Sequence, residues 1–329
     1  MITHAARRTA LTAALLLVAA ACASGEAAAP TTSGAAVACG PADAAPLEHP
    51  DWAITVGTRP EIIPIMVSSL VDVGPGRFLY SLVDGEQRIL AAEGVPTRVG
   101  FYALERDPEA PVATLEGAFL DTQTCRGMYR VAVDFDCAGE WGMELVATLP
   151  DGTTATERVR FRVHPDGPTV DVGEPAPRSD SLTASTPEDL SLISTDPDPY
   201  PPAFERTIAD VVTSGQPSLV LFATPAFCQT GTCGPTADLV KTVAQEHEGR
   251  LGFVSVEPYV LQMTENGLQP ELDPEGRLQP VAAVLDYGLI VEPYLFVVDA
   301  AGDVFARFEG VVGEDELWAA VEEVLAASG

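Results

Sequence analysis

Between Trp52 and about Val163 the chain alternates short apolar runs with polar breaks. GRFLYSLVD, TRVGFYAL, MYRVAVDF, WGMELVATL and ERVRFRV are separated by DGEQ, RDPEAP, CAGE and PDGT. Short strands set apart by Asp-Gly and Pro turns predict an antiparallel β-sandwich over residues 51–164. After residue 203 the period changes. AFERTIADVVTSG carries Phe204, Ile208, Val211 and Val212 on one helical face, with Gly215 beyond its end. SLVLFA reads as a buried strand and PTADLVKTVAQEH as a helix, with Pro235 suited to its first turn. LGFVSVEP and PYLFVVD follow as strands, DVFARFEG as a hairpin partner, and QPVAAVLDYG and EDELWAAVEEVLAAS as helices. This predicts an α/β domain over residues 203–329. The turn-rich stretch 165–202, with HPDGPTVDVGEPAPRSD flowing into STDPDPYPP, reads as a proline-stiffened connector.

Charge and composition narrow the function classes. The chain has 18 Lys+Arg against 48 Asp+Glu, a net charge of −30, and Lys241 is its one lysine. Such a surface repels phosphate backbones and excludes nucleic acid as a partner. Residues 22–50 are rich in Ala, Pro, Gly, Ser and Thr and read as a flexible tether. Before them, Arg7 and Arg8 lead into the apolar run LTAALLLVAAA, which predicts a signal peptide over residues 1–21. Its end, Ala19-Ala20-Ala21-Cys22, resembles a bacterial lipobox, which implies lipid attachment at Cys22 and anchorage on the outer face of the cytoplasmic membrane. Ala21-Cys22-Ala23 also fits an A-x-A cleavage site, which would release a soluble secreted product. Either way the mature chain is expected outside the cytoplasm, where disulfides persist.

Two resemblances sharpen the fold expectation. The run GMYRVAVDFDCAGEWGMELVA is similar to Ig-like domains of the FixH and YtkA type, in which a glycine-turned hairpin leads into a tryptophan strand. From residue 203 onward the order strand, cysteine loop, helix, strand, helix, proline-led strand, hairpin partner and last helix resembles the thioredoxin-like domains. The upstream Val172–Pro177 stretch, VGEPAP, is similar to the opening of redoxin-type members. The expected fold is therefore two domains, an Ig-like sandwich followed by a thioredoxin-like α/β domain. The resemblance implies that Pro293, in Glu292-Pro293, is cis and faces the active-site sulfurs.

The chemistry concentrates in FATPAFCQTGTCGPTADLV. Thioredoxins carry Cys-Gly-Pro-Cys, whereas this chain reads Cys228-Gln-Thr-Gly-Thr-Cys233-Gly234-Pro235-Thr236, with Thr236 in the place of the usual resolving cysteine. Two alignments compete: Cys228 attacks across an enlarged loop, or Cys233 attacks and Cys228 resolves. A helix N-terminus stabilises a thiolate within its first turn, and Pro235 puts Cys233 at that mouth. Cys233 is therefore the expected nucleophile. Five residues of bent loop allow the approach of about 5.5 Å between Cα atoms that a disulfide needs. Glu292 is expected to set a carboxylate near the sulfurs, and SLVLFA lacks the buried acid of the thioredoxin pattern. Both features predict a thiol less acidic than that of a typical thioredoxin.

These features predict a thiol–disulfide oxidoreductase acting on protein thiols and disulfides, with a membrane contact through the lipid anchor and no cofactor. A non-catalytic scaffold with a structural bridge is the alternative from another class. A thiol peroxidase fits less well, because Pro225 and Leu221 stand where that motif wants threonine and proline. Copper handling would want histidine or methionine beside the sulfurs. His247 is expected to end the helix after the cysteines and Met263 falls in an insertion, so no metal is expected. Cys39, Cys125 and Cys137 remain as candidates for a structural disulfide. An eight-residue strand between Cys125 and Cys137 would hold them about 26 Å apart at ~3.3 Å per residue, so Cys39 is expected to pair into the sandwich.

Overall fold

The computed structural model describes residues 37–40, 52, 60–120, 122 and 127–329. The expected signal peptide, Cys22, most of the tether and Cys125 lie outside the described residues. Eight strands make up the first half: β1 (Ile63–Met66), β2 (Gly74–Val83), β3 (Thr97–Ala103), β4 (Ala113–Glu116), β5 (Ala118–Leu120), β6 (Met128–Phe135), β7 (Gly139–Thr148) and β8 (Thr154–Val163). They form two four-stranded antiparallel sheets, ordered β1-β2-β6-β5 and β4-β3-β7-β8. The alternation in the sequence has a direct cause: along β6 every second side chain enters the space between the sheets. Phe78, Phe101, Phe135, Trp141 and Phe161 fill that space with edge-on and tilted ring contacts, such as 5.0 Å between the Phe135 and Trp141 centroids. The sandwich also settles which partner Cys39 takes. It is bridged to Cys137, and the neighbouring Ala38 pairs with Ala138 at the head of β7.

The stretch 165–202 is not a free connector. It lies along the α/β half, with the Val170 and Ala176 amides donating to Tyr287 and Gly302 and the Ser179 hydroxyl donating to Asp286 at 2.7 Å. It also contains a helix, α1 (Pro187–Ile193), capped by Thr186, whose Oγ1 accepts from the Asp189 amide at 3.1 Å. Thr-Pro-Glu-Asp is a helix-start signal, since Pro is suited to the first turn and acids favour the N-terminal dipole. The helix expected in AFERTIADVVTSG is instead two pieces, a 3-10 turn over Pro201–Phe204 and α2 (Ile208–Val212). The break has a local reason: Thr207 and Asp210 exchange capping hydrogen bonds, so a new helix starts there.

The remaining elements are β9 (Ser218–Phe222), α3 (Cys233–Glu246), β10 (Gly252–Val256), β11 (Leu261–Thr264), β12 (Gly267–Pro270), α4 (Ala282–Asp286), β13 (Tyr294–Val298), β14 (Val304–Glu309) and α5 (Glu314–Ala327). The four-stranded sheet runs β10-β9-β13-β14, with β9 and β10 parallel and the other pairs antiparallel. This strand order agrees with the α/β domain read from the sequence. Leu219 and Leu221 face α3 and α5, while Val220 and Phe222 face α2 and α4. Both faces of β9 are covered, which is why SLVLF is continuously apolar. The insertion after β10 forms the separate hairpin β11–β12.

Sandwich and α/β half belong to one compact unit, Ala35–Gly329. Arg77 on β2 joins them. Its guanidinium donates to both carboxylate oxygens of Glu316 at 2.8 and 2.7 Å and to the Val311 carbonyl at 2.7 Å. Arg130 also reaches Glu316, at 3.2 Å. The Ser69 amide donates to Glu309 at 2.6 Å, and Leu79, Leu120, Met128 and Val311 close an apolar patch beside the ion pair.

Candidate functional site

The site lies at one end of the α/β sheet. β9 ends at Phe222, and residues 223–232 loop over to the mouth of α3, whose first residue is Cys233. The facing strand β13 begins opposite Phe222 at Tyr294, which carries Pro293 to the same end of the sheet, and the Glu292-Pro293 bond is cis. Cys228 and Cys233 sit together at this loop and take no part in the Cys39–Cys137 bridge. Thr232 makes no side-chain cap for α3. The sulfur of Cys228 takes that position: the Cys233 amide donates to it at 3.2 Å, and the Thr230 hydroxyl stands 3.2 Å away on its other side. Thr230 in turn shares a hydrogen bond with Thr232 at 2.7 Å.

The two sulfurs differ in exposure. Cys233 is fully buried in the core beneath α3, whereas Cys228 is only half-buried. A sulfur closed off by packing cannot meet a disulfide of another protein. The amide at the helix start is directed at the sulfur five residues upstream. Gly234 and Pro235 are half-buried in the first turn. Thr236 is buried, and with Thr232, Pro235 and Leu239 it borders a small recess that Thr122 of the sandwich helps to close.

An acid stands beneath this loop after all. Its source is Glu257, just past β10, rather than β9. Glu257 is 8 % exposed. Its Oε1 accepts the amide of Thr195 at 2.7 Å and also the Thr195 hydroxyl, and that same Thr195 oxygen accepts the Ala226 amide of the cysteine loop at 3.3 Å. Burial raises the carboxyl above its ordinary range, with its hydrogen bonds from Thr195 the largest opposing effect. The second oxygen, Oε2, has no hydrogen-bond partner, and neither has the nearby Thr224 hydroxyl. A glutamate ending an apolar strand in FVSVEP was the available signal. Parallel pairing of Val256 with Phe222 is what brings it under the loop.

Residues 194–198 fasten the site from outside. Lys241 on α3 reaches Asp196 at 3.1 Å, the Asp198 carbonyl at 2.8 Å and Asp238 at 2.8 Å. Glu292, expected to set a carboxylate near the thiols, accepts from the Tyr259 hydroxyl at 2.7 Å. Burial, followed by this carboxylate, raises the Tyr259 phenol. His247 caps the far end of α3, where its Nδ1 lies 2.9 Å from the Val243 carbonyl.

No family model matches the chain, and no curated protein matches it. Among solved structures it is similar to a thio-disulfide isomerase from Thermus thermophilus, at 23 % identity over 47 % of this chain and 97 % of that one, with a TM-score of 0.26. It is also similar to the soluble domain of PmoD from Methylocystis sp., at 16 % identity over 31 % of this chain and 90 % of that one, TM-score 0.20. A human fibronectin type-III domain is similar over 35 % of this chain and 94 % of its own, at 13 % identity and TM-score 0.20. Each of these three likenesses covers less than half of the chain.

Proposed function

We propose that the protein is a thiol–disulfide oxidoreductase in which Cys228 attacks and Cys233 resolves. The observation that carries this reading is the half-exposed Cys228 sulfur held against the Cys233 amide at the start of α3. The Cys233 amide donating to this sulfur favours its ionised form, and the thiolate is the nucleophile. In the reducing direction the Cys228 thiolate attacks one sulfur of a target disulfide. A mixed disulfide forms and the other target sulfur leaves as a thiolate. Cys233, having lost its proton, then attacks the Cys228 sulfur and expels the second target thiolate. Two electrons pass to the target and a Cys228–Cys233 disulfide remains. Pro293 would present backbone to the target chain, and the sandwich would hold the α/β half as a fixed platform.

The proposal extends to location. An exported chain tethered through Cys22 agrees with the Cys39–Cys137 bridge, which needs an oxidising compartment to persist. A mature N-terminal peptide beginning at Ser24 would show the soluble alternative instead.

Insulin reduction with dithiothreitol as donor tests the activity. Wild type is expected to turn over, Cys228→Ser to be inactive, and Cys233→Ser to accumulate a Cys228 adduct visible by mass spectrometry. A Cys228–Cys233 pair that fails to cycle in the folded protein would leave only the scaffold reading.

A further inference from the structure

Beside Glu257 the fold forms a half-open cavity of about 460 Å³, within the size range of small-ligand sites. Its walls come from the segment before α1, from α1, from the end of β10 and from both roots of the β11–β12 insertion. Leu182, Leu192, Phe204, Val260 and Val281 make most of it apolar. Leu182 and Leu192 form exposed apolar lips, at 69 % and 49 % exposure. Two charged groups line the cavity, and both are acids: Asp180 and Glu257. Among the described residues no lysine, arginine or histidine pairs with either one.

A buried carboxylate without a counter-charge is costly, and a cation brought to it removes that cost. Glu257 has its Oε1 engaged by Thr195 and its Oε2 without a partner, so one oxygen is available to a new donor. The apolar walls ask for a hydrocarbon body, and the acid on the inner wall asks for a positive head. A carboxylate ligand would meet two like charges. A neutral hydrocarbon would leave the acid unmatched.

We propose that this cavity binds a primary ammonium group carried on an apolar stem, with the stem against the leucine and valine walls and the ammonium against Glu257. Such a group comes from a free alkylamine or from a lysine side chain of a polypeptide, whose four-carbon stem is apolar up to its charge. Through Thr195 and Ala226 the occupied cavity would touch the loop that carries Cys228. The binding itself does not depend on the redox reading, and it can be tested with both cysteines removed.

The full chain carrying Cys228→Ser and Cys233→Ser is titrated with n-pentylamine, n-pentanol and the peptide acetyl-Gly-Lys-Gly-amide, followed by ¹³C-methyl NMR. Pentylammonium is expected to shift the Leu182, Leu192, Val260 and Val281 methyls and to bind about thirtyfold more tightly than pentanol, the difference expected for matching a buried charge. Glu257→Gln, close in shape, is expected to erase that preference, and Val260→Trp to block both ligands by filling the space. Peptide binding at the same methyls would identify a lysine as the source, and amine binding without it a free amine. Equal affinity for amine and alcohol, shifts scattered over the acidic surface, or a preference kept by Glu257→Gln would overturn the proposal.

Discussion

The amide of Cys233 points at the sulfur of Cys228 across 3.2 Å, so the first turn of α3 is capped by a thiol rather than by an oxygen. A helix leaves its first amides without internal partners, and a negative group there is favoured by both hydrogen bonding and the dipole. This contact couples the start of the helix to the half-buried sulfur of Cys228, and the reactivity proposed for Cys228 rests on it.

Thr230 is the second hydrogen-bond neighbour of that sulfur. Thr230→Ala is expected to slow alkylation of Cys228 by iodoacetamide at neutral pH about tenfold, the size of one hydrogen bond to a charged group. Thr230→Ser should restore most of the rate. An unchanged rate in the alanine variant would mean that the hydroxyl does not stabilise the thiolate.

Arg77 and Glu316 form a largely buried pair between the two halves, with side chains 17 % and 7 % exposed. Arg77→Met leaves Glu316 with Arg130 alone, and the expected loss is about 3–5 kcal/mol in urea unfolding. Adding Glu316→Leu should recover part of it, because the stranded charge is then gone. A loss below about 1 kcal/mol would place the pair among weak surface bridges.

Glu257 gives stability a definite pH dependence. Burial raises its folded-state pKa above the unfolded value near 4.5, so the folded chain binds this proton more tightly. The corresponding stability is complete below pH 4.5 and disappears as pH rises through the folded value. Glu309 is shifted the same way by its burial against the sandwich, and both groups act in the same direction. Glu257→Gln should therefore gain on wild type between pH 4.5 and pH 8 in urea midpoints. A gap that narrows with rising pH would contradict the assignment.

The Cys39–Cys137 bridge closes a separation of 98 residues. Replacing both cysteines with alanine is expected to lower stability by about 4–5 kcal/mol through the freed entropy of the unfolded chain. Calorimetry of the double variant against wild type measures it. The redox loop should keep its iodoacetamide reactivity, since the bridge lies in the sandwich core.

Period and turn chemistry were enough to read the longer strands and helices of this protein, though not α1, the break before α2 or the β11–β12 hairpin. The run MYRVAVDF is β6 to the residue, because alternate burial between two sheets writes itself directly into the order of side chains. SLVLF is continuous for the opposite reason, being covered on both faces. The cysteine pair and the proline at position 293 were equally legible, as local features of a strand-loop-helix unit. What lay beyond the sequence were relations across space. Which sulfur is accessible depends on the packing over α3, and no spacing of residues records that. Glu257 reaches the cysteine loop only through the pairing of β10 with β9. Thr195 and Asp196, inside a stretch rich in turn residues, turn out to hold the loop and its helix. Local propensity is a property of neighbours in the chain, whereas burial and charge pairing belong to neighbours that only the folded chain brings together.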